Sequence, residues 1–449
     1  MSSNRRSFIK KVAAGMAGVI VSNKISANAM SAKSYSNIIG ANDRVNVAIQ
    51  GLGRRYGGYK APIVDKANNV KLLYLCDVMK SQRDKALVNF SKDLSYKPKL
   101  ENDIRKVLED KDLDAVFMAT PDHWHTPGAC MAMQAGKHVY LEKPCSHNMH
   151  ENELVVSAQE KYKKVVQMGN QQRSSNESNE IIDSINNGII GKTYKATAFY
   201  INSRGKVPTQ TKAAPPEGLD WDLFQGPSPR RDYTDNTWNY NWHWYGWDFG
   251  TAEMGNNATH ELDVARWALG VELPVHVDVR SGKNQFHDDG WEMYDSMEAR
   301  FKFSDGQVVE WDGQSRNGYE KYHKARGTMV YGSEGSAFID RDGYELYDRK
   351  GKLIKSNVLE GSEDGIALGG GGDLTTVHAT NFFQTIRGKE TLASPIQQGA
   401  KSQALTHYAN IASRIDKSFE VDEKTGRIYD REAMALWSRS YEPGWEPKL

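Results

Sequence analysis

The chain has 449 residues, 39% of them hydrophobic and 26% charged, and a net charge of +1. That length accommodates two domains with their own cores, and the near-balance of acidic and basic residues leaves no electrostatic footprint for a nucleic acid. Three cysteines, Cys76, Cys130 and Cys145, match neither a disulfide framework nor a metal-ligand spacing, and no internal run of about 20 apolar residues is present to span a membrane.

Residues 1–32 read as an export signal. Arg5-Arg6-Ser7-Phe8-Ile9-Lys10 precedes an apolar run from Val12 to Val21, too short for a membrane span, and Ser26-Ala27-Asn28-Ala29 offers small residues for cleavage. Paired arginines before Phe-Ile-Lys resemble a twin-arginine signal, which carries folded proteins and predicts a periplasmic location. A disordered basic tail is the alternative. The leader holds five basic residues and no acidic one, so its removal takes the net charge from +1 to −4. Residues 33–42 read as a polar linker.

Val45 to Ile49 has the apolar character of a buried strand and runs into Gly51-Leu52-Gly53-Arg54-Arg55-Tyr56-Gly57-Gly58. Strand, glycine turn and helix are the setting in which a dinucleotide fingerprint carries meaning: the first glycine turns tightly, and the second lets the pyrophosphate approach the backbone. Tyr56 stands where a third glycine is usual. The next strand, Val70 to Leu75, ends at Cys76-Asp77, where a carboxylate can accept hydrogen bonds from ribose hydroxyls and repels a 2′-phosphate. Asp77 therefore predicts NAD over NADP, while Arg54 and Arg55 are candidate phosphate contacts; a plain strand-end or capping role for Asp77 is the alternative. Strands at 114–120, 138–141 and 165–168 alternate with helical stretches, which predicts a doubly wound parallel sheet with its ligand site at the strand ends. Thr120, Pro121, His125 and Lys143 lie at or just beyond such ends.

The segments Gly51-Leu52-Gly53-Arg54-Arg55, Thr120-Pro121-Asp122-His123-Trp124-His125, Gly136-Lys137-His138-Val139-Tyr140-Leu141-Glu142-Lys143-Pro144 and Gly255-Asn256-Asn257-Ala258-Thr259-His260-Glu261-Leu262-Asp263 resemble the Gfo/Idh/MocA oxidoreductase family. The stretch from His378 to Trp445 is similar to its exported, twin-arginine branch. The resemblance implies a Rossmann domain, placed here at 43–165, followed by an α/β domain at 166–449 with a large, mostly antiparallel sheet that commonly forms the oligomer interface. It also implies NAD or NADP as cofactor and sugars, inositols or related polyols as substrates.

Oxidising a secondary alcohol requires a group that accepts the hydroxyl proton and a positive charge near the developing alkoxide. Lys143 suits both tasks, with Glu142 placed to orient it and Pro144 to fix the turn in what the resemblance implies is often a cis bond; a surface Lys-Pro turn is the alternative. His260 is the second catalytic candidate, in the first turn of a helix predicted from Thr259 to Leu269 with Gly270 as its stop, although a helix-start histidine is often structural. The family has an aspartate where this chain has Asn256, which can hold a hydroxyl but take no proton. The resemblance places His125 beside the cofactor and Gln172 and Arg173 facing substrate. His123 and His125 lack a third ligand at a convincing spacing, so no metal site is predicted.

Trp238, Trp242, Trp244 and Trp247 with Tyr233, Tyr240 and Tyr245 crowd one stretch. Such rings suit the apolar face of a sugar, with Trp244 the expected contact, and equally a domain or dimer interface. Residues 365–373, with four consecutive glycines, read as a flexible lid or an ordinary connector. Two activities compete: a sugar, glycoside or polyol dehydrogenase with net NAD reduction, and a redox-neutral glycoside-cleaving or isomerising enzyme that keeps and recycles its NAD.

Overall fold

The computed structural model describes residues 43–359 and 373–449. The expected export signal, the linker and residues 365–372 of the glycine-rich segment lie outside the described residues.

Six strands form a parallel sheet: β1 (Val45–Gln50), β2 (Val70–Cys76), β3 (Lys99–Glu101), β4 (Ala115–Met118), β5 (His138–Leu141) and β6 (Val166–Met168), in the order β3-β2-β1-β4-β5-β6. The central strands are buried along almost their whole length, Val47, Ala48 and Ile49 in β1 and all four residues of β4, as expected for a sheet covered on both faces. The strand order reverses between β1 and β4, and the crevice at that switch point is where doubly wound sheets bind ligands. The expected boundary between residues 165 and 166 cuts through this sheet, because β6 pairs in parallel with β5 from Val139–Val166 to Leu141–Met168.

Nine strands form a second sheet: β7 (Thr193–Ile201), β8 (His276–Gly282), β9 (Ser296–Lys302), β10 (Val308–Gln314), β11 (Arg326–Gly332), β12 (Gly335–Ile339), β13 (Gly343–Asp348), β14 (Leu353–Val358) and β15 (Phe419–Glu420). Their order is β14-β13-β12-β11-β7-β10-β9-β8-β15. All pairings are antiparallel except β7 with β10. Burial alternates along β9, where Met297, Ala299 and Phe301 face the core; this is the period-two signature of a sheet with one face packed. The helices Thr259–Leu269 and Ile396–Ile415 contribute Leu262, Ala265, Leu405 and Tyr408 to that core.

The chain then returns to the first sheet. The helix Leu374–Ile386 lays Phe382 and Phe383 against Phe117, each with ring centroids 5.7 Å apart, and Phe382 against Tyr140 at 5.8 Å. Among the described residues no helix is long and apolar enough to cross a membrane.

Candidate active site

A cleft of about 350 Å³ opens at the carboxyl ends of β1, β2, β4 and β5 and runs beneath the second sheet. Gly51 ends β1 with φ of +88°, and a Cβ there would lie 2.4 Å from the carbonyl oxygen of Ala119, so only glycine lets the two strand ends approach. Around Gly53 a Cβ would meet nothing within 4 Å, leaving open room over the turn. Tyr56 replaces the third glycine by burying its ring beneath the turn, near Phe90. The expected helix is here only a 3₁₀ turn, Tyr56–Tyr59, followed by Lys60–Val64.

Asp77 ties this turn to the end of β2. Its Oδ2 accepts from the Leu52 N–H at 2.6 Å and its Oδ1 from the Met79 N–H at 2.7 Å. Burial pushes its pKa up while those two N–H groups and Arg83 pull the other way. Each oxygen keeps a second lone pair toward the cleft wall it lines. Across from it the Thr120 hydroxyl is buried with no partner. Open space over Gly53, an acceptor at Asp77 and an unpaired hydroxyl at Thr120 fit a dinucleotide along this wall. Pro121 and Arg54 line it too; Arg54 lies over the Tyr240 ring at 4.7 Å.

Lys143 follows β5, and its bond to Pro144 is cis. Nζ donates to the main-chain oxygen of Asn256. Burial lowers its pKa to about 8, against the opposing pull of the Asp122 and Glu142 charges. Glu142 does not orient Lys143 by a hydrogen bond, as was expected. Its carboxylate takes Arg55 Nε at 2.7 Å, the Tyr59 hydroxyl at 2.7 Å and Gln171 Nε2 at 3.2 Å. Burial alone would raise its pKa, and Arg55 and Tyr59 bring it below the usual value. Arg55 is thus turned inward, onto Glu142 and the Thr375 hydroxyl. Gly169 makes room for this pair, since a Cβ there would lie 2.8 Å from Glu142 Oε2. His125 fastens the neighbouring turns, with Nδ1 2.5 Å from the Pro144 oxygen and Nε2 2.9 Å from that of Thr120.

His260 lies in the first turn of its helix, as expected, after a π-helical turn at Met254–Ala258. Burial, with Arg341, Lys143 and Arg326 nearby, holds its pKa well below the ordinary value, so the imidazole is neutral. Its side chain lines the cleft. Asn256 and Asn257 donate to the two oxygens of Glu253, each at 2.9 Å, which fixes both carboxamides. Asn256 thereby keeps its Oδ1 for a ligand.

Three residues expected at the substrate lie elsewhere. Gln171 to Ser174 form a 3₁₀ turn, whose three-residue period sends adjacent side chains in different directions. Gln171 faces the cleft, whereas Gln172 donates to the Asp340 carbonyl at 2.7 Å. Arg173 makes a buried bidentate pair with Asp263, at 2.7 and 2.8 Å. Trp244 is buried and stacked on Trp291, with centroids 3.9 Å apart. Trp238, Tyr240 and Trp242 supply the aromatic wall instead.

Other groups of this half had no motif to announce them. Tyr200, Asn202 and Arg204 line the cleft at successive alternate positions from the end of β7, so a period-two count would have found them. Arg326 reaches in from β11, held by Glu261 at 2.8 Å through Nε, and Arg341 follows β12. Asp122 accepts from the Thr251 hydroxyl at 2.6 Å and is the largest charge supporting the ammonium form of Lys143. No cluster of three or more metal-ligating side chains is present among the described residues.

Residues 45–170 match the model of an oxidoreductase family with an NAD-binding Rossmann fold, and residues 180–340 match that family's C-terminal alpha/beta domain. The chain belongs to the Gfo/Idh/MocA oxidoreductase family. It is 25% identical over 253 residues to a glycosyl hydrolase family 109 protein of Shewanella baltica, covering 54% of this chain and 50% of that one. It is 28% identical over 212 residues to an alpha-N-acetylgalactosaminidase of Shewanella oneidensis, covering 44% and 46%. The chain spans about half the length of these curated relatives. Its fold is similar to that of the WlbA dehydrogenase of Chromobacterium violaceum, solved with NADH and UDP-GlcNAcA, with a TM-score of 0.63, 19% identity and coverage of 85% of this chain and 96% of that one.

Proposed function

We propose that this protein is an NAD-dependent oxidoreductase acting on a secondary hydroxyl of a sugar, glycoside or polyol. The observation that carries the reading is Lys143, a buried amine with its pKa lowered to about 8 and directed at Asn256 beside a neutral His260. NAD, held by the turn at Gly51–Arg54, Asp77 and Thr120, supplies the acceptor for the hydride. In its neutral form, Lys143 Nζ takes the hydroxyl proton as the carbon becomes a carbonyl. Asn256 Oδ1 and His260 hold that hydroxyl or its neighbour, and Trp238, Tyr240 and Trp242 give a flat wall for the ring. Asp77 supports NAD over NADP.

A second reading, redox-neutral cleavage of a glycoside with recycled NAD, draws support from the glycosidase names of the relatives and from His260. That scheme needs a second base for the proton beside the transient carbonyl, and the His260 imidazole is neutral, lines the cleft and makes no hydrogen bond to a described residue. Mass spectrometry of the native protein for retained cofactor, then a panel of sugars and glycosides, separates the two. NADH formed in proportion to a ketosugar supports the dehydrogenase. Glycoside cleavage with retained NAD and no net NADH supports the recycler, and no turnover of any carbohydrate overturns both.

The twin-arginine-like leader supports export of the folded protein to the periplasm, tested by fractionating cells that carry Arg5→Lys and Arg6→Lys. The exposed side chains of Tyr194, Leu353 and Ile354 on the second sheet support a homo-oligomer, tested by sedimentation equilibrium.

A further inference from the structure

A second cavity, of about 340 Å³, shares no lining residue with the cleft. It sits at the N-terminus of the 14-residue helix Met149–Tyr162 and reaches the end of the helix Ile396–Ile415. The helix start favours negative charge, but three side chains carry the argument.

His147 is only 9% exposed and lines the cavity, yet neither of its ring nitrogens has a hydrogen-bond partner. Asn148, 8% exposed, caps the helix by accepting from the Glu151 N–H at 3.0 Å; the Tyr441 hydroxyl is in reach of one Nδ2 hydrogen at most, and the other has no partner. Arg414 stands at the mouth with its guanidinium 4.9 Å over the Trp247 ring and forms no ion pair among the described residues.

The charges around these groups are already assigned. Asp248 is paired with Arg231 at 2.9 Å, and Glu151 is held by Arg439 at 2.8 Å and the Tyr441 hydroxyl at 2.9 Å. His407 Nε2 is 2.8 Å from the Ser146 hydroxyl. Burial keeps His147 neutral, with Arg439, His123, His407 and Arg414 acting in the same direction. The cavity therefore carries one surplus cation, an unpaired carboxamide N–H group and an imidazole with one donor and one acceptor.

Unpaired buried polar atoms are rare in folded proteins and concentrate where something else completes them. An oxyanion answers Arg414 and Asn148. The acceptor nitrogen of His147 requires in addition a hydroxyl that donates. We propose that this cavity binds a small hydroxylated oxyanion, a hydroxy acid or a sugar phosphate. Its volume lies at the lower end of the range for small-molecule sites, about 300–1,000 Å³.

The test is titration calorimetry on the full chain with saturating NAD present, using D-gluconate and glycerol 1-phosphate as probes and glycerol as the neutral control. Saturable binding of at least one anionic probe is expected, and which one binds distinguishes carboxylate from phosphate. Arg414→Met is expected to weaken it about tenfold or more. Asn148→Asp keeps a good helix cap while replacing the donor by a negative charge, and should abolish binding with the thermal midpoint retained. Lys143→Met should leave binding unchanged. The proposal is overturned if neither probe binds at roughly 10 mM, if glycerol competes as well as the anions, if binding survives both Arg414→Met and Asn148→Asp, or if Lys143→Met removes it.

Discussion

The two halves of the cleft are built from different bonds. Under the parallel sheet much of the holding is to backbone groups: Asp77 takes the N–H groups of Leu52 and Met79, and His125 spans the carbonyls of Thr120 and Pro144, beside the largely buried side-chain pair of Glu142 with Arg55. Under the antiparallel sheet side-chain charge does it: Glu253 fixes Asn256 and Asn257 and faces Arg204 at 3.4 Å, and Glu261 anchors Arg326. A backbone clamp depends on the path of the chain and tolerates little change. A clamp of side chains from separate elements can be rewritten one residue at a time while the sheet persists, which suits a fold whose members accept different substrates.

The largest expected effect joins the two halves. Lys143→Met should lower kcat by about 10²–10⁴-fold, the usual worth of a positioned acid–base group, while dinucleotide binding measured by fluorescence titration persists. Equal loss of cofactor affinity would instead make Lys143 part of the backbone-held half.

Removing a charge clamp outside the cleft should act on stability alone. Asp263→Ala strands the buried Arg173 guanidinium, and we expect a loss of about 3–5 kcal/mol in urea unfolding. KM should change little, because Arg173 lies away from the cleft.

Proton traffic should follow Lys143. With its pKa lowered to about 8 by burial, the neutral base is populated above that pH, so kcat/KM should rise through pH 8 and then level. Two units below, the rate should be about 100-fold lower. His260 stays neutral across this range and should add no second limb; a bell-shaped profile would assign it a titrating role.

The smallest effect belongs to Asp77→Asn. It keeps the size but removes the charge, and should weaken NAD about tenfold; if Asp77 repels a 2′-phosphate, NADP should lose less or gain.

The parallel sheet was legible because its central strands are apolar throughout and end on recognisable turns. β3, Lys99-Leu100-Glu101, was not, since a short polar edge strand lacks that signal. β14 lacks that signal as well, since it lies at the sheet's margin and is exposed along most of its length. Lys143, His260 and Asp77 could be placed because each sits one or two residues from an element's end. Gln172 and Arg173 were misplaced by a single turn, in which one residue of offset separates a cleft wall from a buried ion pair. Arg326 lies on β11, whose partner β7 is far away in sequence, and Arg341 lies in the turn after β12; only the assembled sheet brings them to the cleft that Lys143 lines.

The return of Phe382 and Phe383 to the first sheet bears on how the protein is made. During synthesis the six parallel strands leave the ribosome long before the helix that covers Phe117 and Tyr140. Until that helix emerges, the apolar face that Phe382 and Phe383 cover stays wet. A product interrupted before that helix would therefore expose this face to chaperones and proteases.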